Sequence, residues 1–219
     1  MKESLTKLSS VIEPALLDTI YLVGLTLLFS IIIGFILAIL LYISRPKGLK
    51  PMPILYHLVS LVINIIRSLP FMILSITMLP LTRFIAGEVV GNRAALIPLI
   101  ISASSLMTRL IESAFCEVDP ELIKAIQSFG ATKIEIIHEV VIIESIPSII
   151  SHITLTSIII LSMTAISGSL GAGGLGMVAI NYGYNSYDDF IMYSTVVILI
   201  IVVQIMQYIG SKSYESRLK

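Results

Sequence analysis

The feature that most constrains this chain is the run of 26 residues from Thr19 to Ser44, which contains no Asp, Glu, Lys or Arg. About 20 apolar residues, rising about 1.5 Å each in an α-helix, suffice to cross the hydrocarbon core of a bilayer. Four more apolar runs follow it. We therefore predict an all-α integral membrane protein that forms one transmembrane domain over residues 1–219, with spans at 19–44, 54–79, 94–110, 146–167 and 190–211.

The composition agrees with a membrane protein and narrows the possible functions. Hydrophobic residues make up 56% of the 219 and charged residues only 13%, whereas soluble domains carry about 25% charge. The formal net charge of zero provides no basic surface for nucleic acid. Cys116 is the single cysteine, which excludes an internal disulfide. Since the spans contain no paired carboxylates, nucleophile–base set or cluster of metal ligands, we expect no catalytic residues, metal or cofactor.

Lysine and arginine flank the predicted spans unequally, and these residues are enriched on the cytoplasmic side of membrane proteins. Nine lie on one side and four on the other: Arg45, Lys47, Lys50, Arg109, Lys124, Lys133, Lys212, Arg217 and Lys219 against Lys2, Lys7, Arg83 and Arg93. The N-terminus is therefore predicted outside, and the C-terminus and the loop 117–145 in the cytoplasm.

That loop carries the signals of two short capped helices. Asp119 precedes Pro120, a residue suited to the first position of a helix, and Gly130 suits a left-handed C-terminal end. Thr132 and Glu135 have the spacing of a capping box for a second helix.

One face of the first short helix is predicted to be apolar. Leu122, Ile126 and Phe129 fall on it, with Ile123 beside them. Such a pair of helices is either a compact element exposed to the cytoplasm or an amphipathic connector that lies on lipid.

The segment "KAIQSFGATKIEIIHEVVIIESIPSII", Lys124 to Ile150, resembles the EAA loop of ABC-importer permeases, with matches at Ala125, Gly130, Ala131 and Pro147. Three further stretches match: "RSLPFMIL" from Arg67, "GAGGLG" from Gly171 and "NYGY" from Asn181. Together they cover most of the chain and are similar to the permeases of methionine importers, the D-methionine transport system subfamily, which has five spans per subunit. In two places the chain departs from the family pattern: Lys124 replaces an acidic residue, which reverses a charge at the docking surface, and Ile143 replaces a proline, which removes a helix breaker.

The resemblance implies a type I ABC importer permease fold and transport of methionine across the bacterial inner membrane. It also implies a homodimer in the lipid bilayer, two ATPase subunits that hydrolyse the ATP, and an external methionine-binding lipoprotein. The two short helices would then transmit movement from the ATPase subunits to the spans. The residues assigned to this coupling are Leu122, Lys124, Ala125, Phe129, Gly130, Ala131 and Glu135.

Polar and small residues within the spans are candidates for the transport path. These are Asn64, Arg67, Met163, Ile166, Gly168 and Gly171. For the glycines, close helix packing is an equal alternative, because small residues serve both purposes. For Arg67, the alternative is a guanidinium that reaches water near the membrane edge. "GAGGLG" is followed by Met177 where a phosphate-binding loop has lysine, so this chain is not expected to hydrolyse ATP.

Three other functions remain open at this point. The chain could be a permease for another small amino acid, a secondary transporter driven by an ion gradient, or a membrane scaffold without transport activity. The spans lack acidic residues that would bind a proton or sodium, and five spans form no inverted repeat, so a secondary transporter is disfavoured. The capped loop disfavours a scaffold.

Overall fold

A computed structural model describes residues 2–216, with side chains from residue 10 onward, and all regular elements in that part of the chain are helical. The α-helices are α1 Lys2–Ser44, α2 Pro53–Ser68, α3 Phe71–Thr77, α4 Leu79–Ala86, α5 Asn92–Glu117, α6 Pro120–Ser128, α7 Lys133–Glu135, α8 Ile142–Ser167, α9 Gly174–Met177 and α10 Asp189–Glu215. Segments of π-helix cover Ile136–Val141, Gly168–Ala172 and Val178–Tyr184. The predicted all-α class is confirmed.

Four continuous helical stretches among the described residues are long and apolar enough to cross a membrane: Ser10–Ser44, Asn92–Glu117, Lys133–Ala172 and Asp189–Glu215. A fifth arises only if α2 and α3 count together, and their axes are bent by 107°. The predicted span 54–79 is therefore not one straight helix. Pro70 explains the break, because proline disfavours a helical conformation of the residue before it, and Leu69 is extended at φ −87° and ψ 130°.

The other helices differ from the predicted spans mainly in length. The 43 residues of α1 measure about 65 Å, roughly twice the hydrocarbon thickness, and begin well before residue 19. The helix α5 continues beyond residue 110 to Glu117, and α10 covers residues 190–211. Arg217 and Lys219, which entered the orientation count, lie outside the described residues, as do the side chains of Lys2 and Lys7.

Three helices form the centre of the bundle. The helices α1 and α5 run parallel, since Gly34 lies against Met107 and the rings of Tyr42 and Phe115 are 5.6 Å apart. The helix α8 runs antiparallel to both: the hydroxyl of Ser145, near its start, donates to the carbonyl of Ala114, near the end of α5. We call the end of the bundle with Ser44, Glu117 and Ile142 the loop end, and the end with Asn92 and Ser167 the glycine end.

The main hydrophobic core lies near the loop end. It joins α1, α5, the π-helical segment Ile136–Val141 and α8. The buried side chains that form it are Ala38, Tyr42, Met107, Ile111, Ala114, Phe115, Val118, Ile136, Val140, Val141 and Ile149. The loop that follows α5 is therefore held against the spans by side-chain packing, as well as by chain connectivity.

Candidate coupling surface and transport path

The first short helix of the loop, α6, begins and ends as the sequence predicted. The Asp119 carboxylate accepts a hydrogen bond of 2.8 Å from the Glu121 backbone N–H, and Pro120 occupies the first helical position. Gly130 follows the helix at φ +89°, a left-handed conformation that favours glycine. Both ends are thus defined by local chemistry.

The second short helix begins with the predicted capping box. The Thr132 backbone N–H donates to Glu135 Oε2 at 2.7 Å, and the Glu135 N–H donates to Thr132 Oγ1 at 3.3 Å. The stretch Lys133–Ala172 measures about 60 Å, about twice a hydrocarbon core of about 30 Å, and its charged residues all lie between Lys133 and Glu144, so the first turns are the part that projects beyond the core. There, the backbone hydrogen bond from Thr132 lowers the pKa of the Glu135 carboxyl, and the Thr132 side chain adds to the effect.

Packing divides the predicted apolar face of α6 into two parts. Ile123 and Ile126 pack against the main core, whereas Leu122 is 37% exposed and Phe129 is 90% exposed. The predicted apolar face of α6 is therefore divided between the main core, which Ile126 contacts, and the exposed surface, which carries Leu122 and Phe129.

Sequence reasoning also missed Ile134, which follows Phe129 in the loop and is 78% exposed. The available signal was an apolar residue that stands between the charged residues Lys133 and Glu135, within the capping-box segment that begins at Thr132. We call Leu122, Phe129 and Ile134 the loop surface. Large apolar side chains that are exposed to water are typical of a protein interaction site.

The remaining residues assigned to coupling surround this surface. Lys124, Ala125, Gly130 and Glu135 are exposed, and Ala131 is partly buried against the core. Ile143 is 52% exposed, and the chain is helical from Lys133 through it into α8. This agrees with the expected effect of losing a proline at that position.

Asn64 is part of a polar link between α2 and α5. Arg109 Nη1 donates to Glu112 Oε2 at 2.6 Å, while its Nη2 donates to Asn64 Oδ1 at 3.1 Å and to the Ser60 carbonyl at 3.3 Å. Arg67 is exposed in the last turn of α2, directly before the break. The two predicted path residues of α2 thus lie near each other on that helix, and Asn64 holds a guanidinium from α5.

The glycine-rich segment packs backbone against backbone at the glycine end. A Cβ atom at Gly168 would lie 2.6 Å from Met177 N, and one at Gly176 would lie 2.7 Å from the carbonyl oxygen of Ala165. The turn is attached to α1 by a buried hydrogen bond of 2.9 Å from the Leu175 N–H to Thr19 Oγ1. Gly168 is therefore packed closely against the backbone of α9. Gly171 is exposed at φ +94°.

A cavity of about 200 Å³ lies beside this turn, between α3, α4 and the start of α5. Its lining includes Ser75, Thr82, Gly91, Pro98, Ser167 and Ala172. Ile166 and Gly168 flank Ser167 in the chain, and Gly171 contacts Val90, another lining residue. Met163 packs against Leu22, Phe71, Ala95, Leu99 and Ala172. None of the six predicted path residues is itself among the residues that line this cavity.

Comparison with known proteins identifies the family. The sequence model of the family described as binding-protein-dependent transport system inner membrane component matches residues 30–212. This chain belongs to that family. As a member, it is a membrane component of a transport system, and the predicted inner-membrane location is confirmed.

Relatives of this inner membrane component include methionine permeases. It is 40% identical over 202 residues to the probable D-methionine transport system permease protein MetI of Vibrio cholerae, with 92% of this chain and 90% of the relative covered. It is 40% identical to the methionine import system permease protein MetP of Bacillus subtilis, with coverage of 78% and 77%. A chain of the inward-facing MetNI methionine ABC transporter matches with a TM-score of 0.92 and 33% identity over 99% of both chains. The predicted resemblance and the type I importer fold are confirmed.

Proposed function

We propose that this inner membrane component is the permease subunit of an ATP-driven methionine importer. It works as a homodimer in the lipid bilayer, takes methionine from an external binding lipoprotein, and receives energy from two separate ATPase subunits. The relatives named for methionine transport, which cover most of the chain, support the substrate. The loop 117–145 then faces the cytoplasm, with the N-terminus outside.

The observation that carries the coupling role is the combination of an exposed loop surface with a buried anchor. Phe129 and Ile134 face outward at 90% and 78% exposure, while Ile136 and Val141 are each 1% exposed within the main core. A partner that moves the loop surface therefore also moves the ends of α1, α5 and α8, because a packed core transmits displacement. A connector that merely lies on lipid would not need this anchor.

A permease for another small amino acid remains the second candidate, since nothing in the shared fold selects the side chain. Uptake by liposomes that contain the permease, its ATPase subunits and ATP, with binding protein outside, separates the possibilities. We expect ATP-dependent uptake of labelled methionine that unlabelled methionine suppresses more strongly than other amino acids do. Stronger suppression by another amino acid favours the second candidate, and uptake abolished by ionophores without any ATP requirement contradicts an ATP-driven importer.

The coupling role is tested by Gly130→Pro. Proline requires a φ near −65° and cannot donate the 3.0 Å hydrogen bond that Gly130 N–H gives to the Gln127 carbonyl. We expect the variant to assemble in the membrane and to lose methionine uptake. Gly130→Asn is the matched control, because asparagine tolerates the left-handed conformation and a Cβ there meets no atom within 4 Å. Normal uptake by the proline variant would contradict the coupling role.

A further inference from the structure

A positive charge lies deep in the bundle without a partner. Arg67 is exposed in the last turn of α2 and forms no ion pair or hydrogen bond with the residues that the structure describes. We propose that its guanidinium binds the carboxylate of the transported amino acid in the middle of the membrane. This inference rests on the proposed function and names the group of the substrate that the permease itself recognises. Every α-amino acid carries that group, so the inference holds for either candidate substrate.

The depth of Arg67 follows from the helices beside α2. The preceding residue, Ile66, lines one groove together with Ile33 of α1 and Ile101 of α5. Ile33 lies near the middle of the charge-free run 19–44, and Ile101 lies well inside the span that α5 forms. Arg67 is therefore near the middle of the bilayer rather than at its edge. A guanidinium at that depth does not reach water by extending along the lipid, because only residues close to the ends of a span do so.

The polar side chains of α2 share one face of the helix. We call them the polar stripe, and their spacing follows the helical period: His57, Ser60, Asn64, Arg67 and Ser68. All other exposed residues of α2 are apolar. A charged side chain within the membrane is costly in lipid and therefore faces another subunit or a water-filled space. The apolar face of α2 thus suits lipid, and the polar stripe suits the transport path.

The chain has no free carboxylate at the depth of Arg67. Its acidic residues are absent from the segments 19–87, 89–111, 145–187 and 190–214. Glu112, which lies between two turns of α5, is already paired with Arg109 at 2.6 Å. A second copy of the chain brings the same residues, so a homodimer provides no free counter-ion either. The anion that neutralises Arg67 must therefore come from outside the protein, and a transported amino acid carries one.

The chemistry of the site suits both charges of an amino acid. A guanidinium donates two parallel hydrogen bonds to a carboxylate, a geometry that a lysine ammonium does not offer. The helix α2 ends directly after Arg67 and Ser68, and the last carbonyls of a helix have no partner within it. The ammonium group of the same amino acid can lie against these carbonyls. Both charges are then compensated, as a site of low polarity requires.

Labelling of a cysteine beside Arg67 shows whether the polar stripe faces water. Ser68 is exposed, and its hydroxyl donates at 2.8 Å to the Ile65 carbonyl of its own helix. In a Cys116→Ser background, which removes the native thiol, Ser68→Cys is treated with the charged reagent sulfonatoethyl methanethiosulfonate. The protein is the complete permease–ATPase complex in lipid nanodiscs, either nucleotide-free or bound to ATP. We expect rapid labelling in at least one of these states.

Ile65→Cys is the matched control, because Ile65 is 53% exposed on the apolar face of the same helix. We expect lipid to shield it from the charged reagent. If Ser68→Cys is not labelled in either state, or if Ile65→Cys is labelled equally fast, the stripe does not line a path and the proposal is overturned.

Protection from labelling identifies the group that Arg67 binds. Methionine should slow the labelling of Ser68→Cys severalfold, whereas methioninol, in which a hydroxymethyl group replaces the carboxylate, should not. In Arg67→Gln the methionine concentration that gives half-protection should rise about 10- to 100-fold, as the loss of a hydrogen bond between charged groups predicts. Arg67→Lys should retain part of the protection, since it keeps the charge.

Three results would overturn the carboxylate contact: no protection by methionine in either nucleotide state, equal protection by methioninol, or unchanged protection in Arg67→Gln. The comparison of the two ligands uses the intact Arg67, so it remains decisive if Arg67→Gln does not assemble.

Failure of this inference differs from failure of the proposed function. If the unmodified complex in liposomes imports another amino acid instead of methionine, the proposed substrate is wrong. That amino acid and its amino alcohol then replace methionine and methioninol in the protection assay. If the complex imports methionine but methionine gives no protection at position 68, the function stands and the assignment of Arg67 is wrong.

Discussion

Removing Glu112 from its ion pair is expected to destabilise the permease strongly. Arg109 Nη1 and Glu112 Oε2 lie 2.6 Å apart, and their side chains are only 18% and 10% exposed. The variant Glu112→Leu leaves a largely buried guanidinium without its counter-ion. Breaking a buried pair in this way costs about 3–5 kcal/mol. Arg109 keeps two neutral acceptors, the side-chain oxygen of Asn64 and the backbone carbonyl of Ser60. We therefore expect the free energy of unfolding to fall by an amount near the lower end of this range, about 3 kcal/mol.

The reasoning is checked by a second variant that removes both charges. Arg109→Met combined with Glu112→Leu leaves no unpaired ion, so the double variant should lie within about 1 kcal/mol of the original protein. Equilibrium unfolding by SDS in mixed micelles, followed by far-UV circular dichroism, measures both. Glu144→Leu is the matched control, because Glu144 is exposed at the start of α8 and should change stability by no more than about 0.5 kcal/mol. If Glu112→Leu alone is as stable as the double variant, the unpaired guanidinium is not costly and the argument is refuted.

Two further predictions concern the glycine end and the loop. Gly176→Ala should destabilise the protein by about 1–3 kcal/mol in the same assay, because the new methyl group meets the Ala165 backbone, whereas Gly24→Ala, with no atom within 4 Å of its Cβ, should not destabilise it. The pKa of Glu135 is lower in the folded loop than in the unfolded chain. The ionised carboxylate therefore stabilises the folded loop fully above the ordinary glutamate pKa of about 4.3, and this stabilisation is lost as the pH falls through the lowered pKa of the folded state. Hydrogen exchange of the segment 130–140, corrected for intrinsic rates, should therefore show less protection at pH 3 than at pH 6, and Glu135→Gln should remove this dependence; equal pH dependence in both proteins would contradict it.

The parts of the loop that were predicted correctly are those determined by neighbouring residues. A capping box joins residues three apart, and a left-handed glycine ends a helix through its own backbone, so Thr132, Glu135 and Gly130 could be interpreted without the rest of the chain. Pro70 was an equally local signal for the break after α2, but the continuous apolar run concealed it.

The features that sequence reasoning did not reveal depend on contacts between distant segments. Asn64 and Arg109 are 45 residues apart, so nothing near Asn64 indicated its guanidinium partner. Ile126 and Ile134 are both apolar, yet only packing of α6 on the main core decides that the first is partly buried and the second exposed.

The exposed side chains of the loop surface have a consequence for how this protein is made. Phe129 and Ile134 are 90% and 78% exposed, and with the loop in the cytoplasm, as proposed above, the bilayer does not cover them. Newly inserted chains are therefore prone to aggregate through this patch until another protein covers it. Synthesis together with the proposed ATPase subunits should raise the yield of monodisperse permease, and production of the permease alone should leave the loop surface dependent on detergent or chaperones.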